Sequence, residues 1–189
     1  MLFAILLQVF VFLFVLIVWA AMMYTFWLTL FYPPFVPTVN KKVISNIEKT
    51  LNDNPNIEFF CEPGCGFAGV SDQVSKKFPK LEVLAIEYNF FIYLMAKIHL
   101  KFSGSRVQII HANFLKYNLK DKHKDKEILI YCYLLPELME AAFKKGKFNH
   151  SKVLTLDFKI PNQKIESIEV IGSTGFQKQV FLYDFTQKL

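Results

Sequence analysis

The sequence has few cysteines, and their number and spacing exclude two kinds of stabilised fold. Only three of the 189 residues are cysteine, namely Cys61, Cys65 and Cys132. An odd number of cysteines does not form a closed disulfide framework, and the C-x3-C pair has no histidine at the spacing of a zinc site. Cys61 and Cys132 lie in apolar runs that predict strands. We therefore expect buried thiols in a reducing compartment, and no metal centre.

Charge is also missing, because no charged side chain occurs from Met1 to Pro37. The run from Leu2 to Phe31 is almost continuously apolar, and a helix of this length reaches about 45 Å, more than the ~30 Å hydrocarbon core of a bilayer. Aromatic residues cluster toward its end, as at a membrane interface: Trp19, Tyr24, Trp27 and Tyr32. A cleaved signal peptide is the alternative, but the run lacks a basic n-region and is longer than an h-region. We expect a single-pass transmembrane anchor over residues 1–32, and Lys41 and Lys42 place the bulk of the protein on the cytoplasmic or equivalent side.

The net charge of +6 lies wholly after Asn40. The lysines are scattered, and no basic stripe with interleaved aromatic residues is present, so no nucleic acid is expected as a partner. The charge suits an anionic membrane surface or an acidic partner instead. The dense charge run at 120–126 predicts a solvated loop.

The pattern after the anchor predicts one α/β domain. Prolines 33, 34 and 37 stop the first helix, and a connector with an amphipathic helix from Val39 to about Leu51 fills residues 33–56. The predicted strands are 57–61, 81–87, 106–111, 128–133, 152–158, 165–171 and 179–185, and the predicted helices are 69–78, 88–102 and 136–144. Strands and helices alternate first and strands end the chain, which predicts a mainly parallel sheet with helices on both faces and a late hairpin over residues 57–189.

A glycine-rich turn between the first strand and its helix indicates a cofactor site. Glu62 closes the strand, and Gly64, Gly66 and Gly69 follow. Strand, tight turn and helix N-terminus together form a nucleotide-cofactor cradle. The glycine spacing also matches that of dinucleotide-binding proteins, so an NAD-dependent oxidoreductase is an alternative. A carboxylate at Glu62 would, however, face a pyrophosphate, and it suits a cationic ligand without phosphate, such as S-adenosylmethionine.

Other candidates lie where the next strands end, since the carboxyl ends of parallel strands form the ligand edge of the sheet. Glu87 can accept both hydroxyl hydrogens of a ribose, or form a salt bridge or helix cap. Asn113 can bond an adenine edge, and Phe114 packs either on the adenine ring or in the core. Tyr133 lies within reach of a substrate amine or fills the sheet face. The Asn-Pro-Pro-Tyr tetrad of enzymes that methylate exocyclic amines is missing.

Six short motifs occur in a fixed order along the chain. They are Pro34-Phe35-Val36-Pro37-Thr38 after the anchor, Glu62-x-Gly64-x-Gly66, Ile86-Glu87-Tyr88-Asn89, Asn113-Phe114-x-Lys116, Tyr133-Leu134-Leu135-Pro136 and Tyr183-Asp184-Phe185. Together they resemble the small membrane-anchored protein-lysine methyltransferases, the family of the ATP synthase c-subunit and adenine nucleotide translocase lysine methyltransferases. The resemblance implies a Rossmann-like, seven-stranded class I methyltransferase fold, S-adenosylmethionine as cofactor, and a lysine of a membrane protein as substrate.

The resemblance also assigns candidate site residues. The cofactor-binding candidates are Glu62, Gly64, Cys65, Gly66, Glu87, Tyr88, Asn113 and Phe114, and the catalytic candidates are Tyr133 and Pro136. The chain departs from the family in the second half of the loop, where Phe67-Ala68 replaces Asp-Gly, and after the third strand, where Ala112-Asn113 replaces Gly-Asp. A methyltransferase fold that binds without catalysing is therefore a third hypothesis.

Overall fold

The computed structural model describes residues 2–31, 41–123, 126–171 and 177–186. The chain divides into two compact units, Met1–Val36 and Pro37–Leu189. The proline connector at 33–37, the predicted loop at 172–175 and positions 124 and 125 of the charge run lie outside the described residues.

The first unit contains one long helix, α1 (Leu2–Phe31), with the bounds that the apolar run predicts. Its segment Ile5–Phe26 spans 22 residues with a mean hydropathy of 2.8, and it is long and apolar enough to cross a membrane. A helix of that length extends about 33 Å, close to the hydrocarbon thickness of a bilayer. Large apolar side chains along it are exposed, among them Phe10 and Trp19.

The second unit is built on one seven-stranded sheet with the strand order β3-β2-β1-β4-β5-β7-β6. The strands are β1 (Ile57–Pro63), β2 (Glu82–Glu87), β3 (Gln108–His111), β4 (Glu127–Cys132), β5 (Ser151–Leu156), β6 (Ser167–Ile171) and β7 (Lys178–Asp184), and the helices are α2 (Lys41–Asp53), α3 (Gly69–Lys77), α4 (Phe90–Phe102), α5 (Leu119–Lys122) and α6 (Pro136–Lys144). Strands β1 to β5 pair in parallel, whereas β7 lies antiparallel between β5 and β6. The strand order reverses between β1 and β4, which is where an open sheet of this kind binds its ligand.

The central strands are apolar on both faces because both faces are covered. In β4, Ile128 and Ile130 belong to one core cluster, and Leu129 and Tyr131 belong to the other. The first cluster includes Met139 of α6, and the second includes the apolar face of α2 and α3. Continuous apolar runs are typical of parallel strands that are buried on both sides.

Several element ends differ from the predicted ones for local reasons. Strand β5 ends at Leu156 instead of 158, because Asp157 has a φ of 63° and leaves the extended conformation. Helix α4 begins at Phe90 instead of 88, because the Asn89 side chain caps it by accepting from the two N–H groups at 91 and 92. The predicted loop at 120–126 begins inside a short helix, α5, which starts at Leu119.

Candidate active site

The turn after β1 is held against β2 by its backbone. The N–H groups of Gly64 and Cys65 both donate to the carbonyl oxygen of Ile86, at 2.8 and 3.1 Å. Gly64, Gly66 and Ala68 all have positive φ, of 68°, 56° and 57°. The chain therefore alternates in and out of the left-handed region before α3 begins, which turns it tightly at the ligand edge of the sheet.

A side chain at Gly64 would meet the side chain of Leu134. A Cβ at this position would lie 2.7 Å from Cδ2 of Leu134, which follows β4. The turn after β1 and the segment after β4 are thus in direct contact, at the point where the strand order reverses. A side chain here would force Leu134 to move and would also strain the backbone.

Glu87, at the end of β2, joins this turn to the start of α4. Its Oε2 accepts from the N–H of Gly66 at 3.0 Å, and its Oε1 accepts from the N–H of Asn89 at 2.7 Å. The N–H of Tyr88 also bonds to this carboxylate, and a carboxylate offers about four acceptor positions, so one remains for a ribose hydroxyl. Burial raises the pKa of Glu87, and the backbone hydrogen bonds oppose that shift.

Glu62, near the end of β1, binds the first turn of α3. Its Oε2 accepts from both the N–H and the hydroxyl of Ser71. It stands in for a helix cap, because Ala68 at the N-cap position has no side chain that can accept a hydrogen bond. Burial raises the pKa of Glu62 to about 7 against the opposing bonds from Ser71. The charge of Glu87 contributes a smaller part of this shift.

The two carboxylates therefore hold one continuous segment, from Gly66 to Ser71, from its two ends. Both side chains are buried, and the charge of Glu87 acts on Glu62. The Oε1 atom of Glu62 makes no hydrogen bond to the described part of the chain. It is thus an acceptor available to a donor at this edge, and a cation is the partner that two adjacent buried carboxylates favour.

The chain was compared with known proteins by sequence and by structure. The sequence matches no protein-family model and no curated protein. By structure it is similar to an RNA methyltransferase from Salinibacter ruber in complex with S-adenosyl-L-homocysteine, with a TM-score of 0.61, 15% identity, and coverage of 82% of this chain and 96% of that one. It is also similar to the tRNA methyltransferase TrmK of B. subtilis (TM-score 0.56, 15% identity, 77% and 65% covered). TrmK of M. capricolum, in complex with S-adenosyl-homocysteine, gives a TM-score of 0.52 at 12% identity, with 77% and 68% covered.

The chain has the Rossmann-like methyltransferase fold. The predicted seven-stranded fold class is thus confirmed. The remaining predicted site residues follow the carboxyl ends of β1 to β4, so they lie along the same edge of the sheet. Their side chains make different kinds of contact.

Cys65 and Tyr88 contribute to the edge mainly through their backbones. The Cys65 side chain is buried beside Ala85 and Ala96, and burial raises the pKa of its thiol. The carbonyl oxygen of Tyr88 lies 2.9 Å from Nε2 of His111, and the Tyr88 side chain is exposed. A contact of either residue with the cofactor stays a prediction.

Asn113 and Phe114 follow β3 in a tight turn. The Oδ1 atom of Asn113 accepts from the N–H of Leu115 at 2.9 Å, so the side chain already fixes its own turn. Phe114 packs in the core near Phe148, with ring centroids 6.4 Å apart and only 8% of the residue exposed. Of its two predicted environments, this ring occupies the core, and an adenine contact would have to use its small exposed edge.

Tyr133 and Pro136 begin and end the segment after β4. Pro136 is exposed and occupies the first turn of α6. The ring of Tyr133 stacks on Phe158, with centroids 5.9 Å apart and planes 20° apart. The Nζ of Lys178 lies 4.8 Å from the centroid of Tyr133 and 3.4 Å from its hydroxyl oxygen. Asp157 pairs with the same ammonium at 3.1 Å.

These last contacts add three residues that the sequence did not single out. We name Tyr133, Asp157, Phe158 and Lys178 the aromatic–ammonium cluster. Burial lowers the pKa of Lys178, but the hydrogen bonds to Asp157 and Tyr133 outweigh it, so the pKa is raised and the ammonium is kept. In the cluster, the ammonium of Lys178 lies against an aromatic ring near the ends of β4 and β5.

The raised pKa of Glu62 predicts a pH-dependent stability. Between its ordinary value of 4.5 and about 7, the folded protein keeps a proton that the unfolded chain has released. Stability should therefore fall as pH rises through this window, by on the order of 3 kcal/mol, and this contribution should level off above it. Thermal unfolding of the full chain in detergent, followed from pH 4.5 to 7.5, measures the slope.

Glu62→Gln should flatten this slope, because the amide oxygen still accepts from Ser71 and nothing titrates. Some slope should remain, since burial also raises the pKa of Glu87. Glu58→Gln, at an exposed position of the same strand, is the matched control and should follow the parent protein. Identical slopes for Glu62→Gln and the parent protein would contradict the assignment.

Proposed function

We propose that this chain is a membrane-tethered, S-adenosylmethionine-dependent methyltransferase that methylates a lysine of a membrane protein. The observation that supports it best is the pair of buried carboxylates, Glu62 and Glu87, on a glycine turn where the strand order reverses. Two carboxylates favour a cationic nucleoside and disfavour a pyrophosphate, which argues against the NAD alternative. Two of the structurally similar methyltransferases hold S-adenosylhomocysteine, and this supports the same cofactor here.

Each part of the site has a role toward that cofactor. Glu87 would accept from a ribose hydroxyl through its remaining acceptor position, and Glu62 would accept from the amino-acid ammonium through Oε1. The turn at Gly64 and Gly66 would let the ligand approach the backbone closely. When bound, S-adenosylmethionine supplies an electrophilic methyl group on a sulfonium.

The aromatic–ammonium cluster supports a lysine as the acceptor. Tyr133 already contacts an ammonium, that of Lys178, and Asp157 balances the charge. A substrate lysine that enters beside Tyr133 would be partly desolvated and would face the like charge of the Lys178 ammonium. Both effects lower its pKa and favour the neutral amine needed for attack. The site would align that neutral amine with the methyl group that the bound cofactor supplies, and the proton that the amine loses on methylation would pass to water. The contribution of the chain is mainly alignment.

The membrane tether is supported by α1. Its segment Ile5–Phe26 is long and apolar enough to span a bilayer. Lys41 and Lys42 follow it, and by the positive-inside rule they support a location of the sheet unit on the cytoplasmic or equivalent side. Tethering would confine the site to the membrane surface and raise the effective concentration of membrane-protein lysines.

The test is transfer of labelled methyl groups from S-adenosylmethionine by the full chain in detergent, incubated with host membranes. We expect label in a membrane protein, located on a lysine by peptide mass spectrometry. Label that ribonuclease removes would replace lysine with RNA as the acceptor, as expected if the chain acted like the structurally similar RNA and tRNA methyltransferases. Binding of S-adenosylhomocysteine without any transfer would support the non-catalytic hypothesis, and no binding would exclude the cofactor.

Two variants of Tyr133 separate the acceptor side from the cofactor side. Tyr133→Ala removes the ring under the ammonium and should lower the transfer rate at least tenfold, while binding of S-adenosylhomocysteine stays the same. Tyr133→Phe keeps the ring and loses only the hydroxyl, so it should retain most of the rate. Equal rates for the parent protein and Tyr133→Ala would remove this residue from the acceptor site.

A further inference from the structure

The outer face of α4 is apolar although it is exposed. The inner face of the helix packs through Ala96 and Leu100 against Ala85 and Ile109 of the sheet. On the other side, Ile98 is 50% exposed and Phe102 is 86% exposed. The large exposed apolar residues of the helix, which we name the outer stripe, are Phe90, Leu94, Met95, Ile98 and Phe102.

The outer stripe is continuous. At about 100° of rotation per residue, Ile98 lies about opposite the midpoint of Ala96 and Leu100, and the other members lie within roughly 80° of it on either side. A helix that covers a sheet normally has one apolar face and one polar face, whereas α4 is apolar on two opposite sides. A contiguous surface of five large exposed apolar side chains on a folded unit indicates an interaction site.

Lysines border the outer stripe along one side. Lys97 and Lys101 are one turn apart and both are exposed. The Nζ of Lys97 reaches back over the ring of Tyr93, 5.8 Å from its centroid. Lysine stems can lie along apolar surface while their ammonium groups extend beyond it. Apolar side chains flanked by lysines match the two layers of an anionic bilayer surface, the acyl chains and the phosphate headgroups.

We propose that the outer stripe of α4 is a lipid contact that seats the sheet unit on an anionic bilayer surface. A bilayer is favoured over a protein partner because the same chain contains α1, long and apolar enough to span a membrane, and because a charge of +6 follows that helix. The helix begins next to Glu87, whose Oε1 accepts from the N–H of Asn89. Lipid contact along α4 therefore brings the ligand edge of the sheet to the membrane surface. The proposal rests on the membrane tether of the proposed function and is independent of methyl transfer.

The test places a nitroxide label at Ile98→Cys in the full chain, reconstituted in phosphatidylcholine vesicles with and without phosphatidylserine. The three native cysteines are buried and do not compete for the label. Glu140→Cys, on the exposed side of α6, is the matched control, and Met95→Cys replaces Ile98→Cys if that variant does not fold. Collision rates with oxygen, which partitions into lipid, and with a water-soluble nickel complex give the environment of each label.

With phosphatidylserine present, we expect the oxygen-to-nickel ratio to be at least threefold higher at position 98 than at position 140. Adding Lys97→Glu and Lys101→Glu should reduce the lipid-seated fraction at least fivefold, since each lysine near an anionic surface contributes about that factor. A label at 98 that is as accessible to nickel as the label at 140 overturns the proposal. Poor access to both reagents overturns it too, because the stripe is then covered by protein, either a second copy or another chain. A chain that does not float with vesicles overturns the tether as well as the lipid contact.

Discussion

Glu87→Ala is expected to weaken binding of S-adenosylhomocysteine at least tenfold. The carboxylate has one acceptor position left after its bonds to the N–H groups of Gly66, Tyr88 and Asn89. A hydrogen bond from a ribose hydroxyl to a buried charged acceptor contributes about 1.5 kcal/mol or more, so its loss lowers the affinity by a factor of about ten or more. Calorimetric titration of the full chain in detergent measures the affinity directly.

Two further variants show whether the loss is specific to the ribose position. Glu82→Ala, at the other end of β2, removes an exposed carboxylate paired with Lys126, and it should leave the affinity unchanged. Glu87→Gln places an amide nitrogen, which cannot accept a hydrogen bond, against a backbone N–H group. It should therefore both weaken binding of S-adenosylhomocysteine and lower the thermal midpoint of unfolding. Unchanged affinity in a well-folded Glu87→Ala protein would show that the ribose does not bind at the end of β2.

The sheet and its helices were predictable because their causes are local in sequence. The apolar run around Ile128–Ile130 is long enough for a strand and is buried on both faces, as a parallel sheet requires. The bounds of α6 match the prediction because Pro136 starts the helix at a position that suits proline. The end of a strand can instead depend on one backbone angle, as β5 does where it stops before Asp157. Such an end has no signal in the sequence comparable to a proline or an apolar run.

The candidate site was predictable only in part. Glu62 and Glu87 could be singled out because each closes a strand beside the glycine turn, but the role of Glu62 in capping α3 depends on Ser71, which no motif marks. The contact of Asp157 with Lys178 forms because β7 inserts between β5 and β6, and such long-range pairing is not visible in local sequence. The exposed stripe of α4 escapes prediction for the opposite reason, since an apolar helix in a sequence is ordinarily assigned to the core.

Gly64→Ala is expected to lower the thermal midpoint of the sheet unit by about 6 °C. The glycine has a φ of 68°, and an added Cβ would lie 2.7 Å from Cδ2 of Leu134, at the end of a side chain that can shift. The left-handed conformation costs an alanine about 1 kcal/mol, and displacing Leu134 costs about 1 kcal/mol more. At roughly 3 °C per kcal/mol for a unit of this size, the two terms give the expected shift. Because the turn also forms the cofactor edge, the affinity for S-adenosylhomocysteine should fall with it.

Gly104 provides the matched control, because it separates the two terms. Its φ of 65° is nearly the same, but nothing lies within 4 Å of a Cβ built there. Gly104→Ala should therefore lower the thermal midpoint only by the conformational part, about 3 °C, and should keep the affinity for S-adenosylhomocysteine.

Leu134→Ala removes the atom that the methyl group of Gly64→Ala would meet. In a double-mutant cycle, Gly64→Ala with Leu134→Ala should thus be more stable than the sum of the single changes predicts, by about 1 kcal/mol. Additive losses would mean that the segment after β4 does not pack on the glycine turn. They would contradict the contact between the turn after β1 and the segment after β4, on which the proposed cofactor site depends.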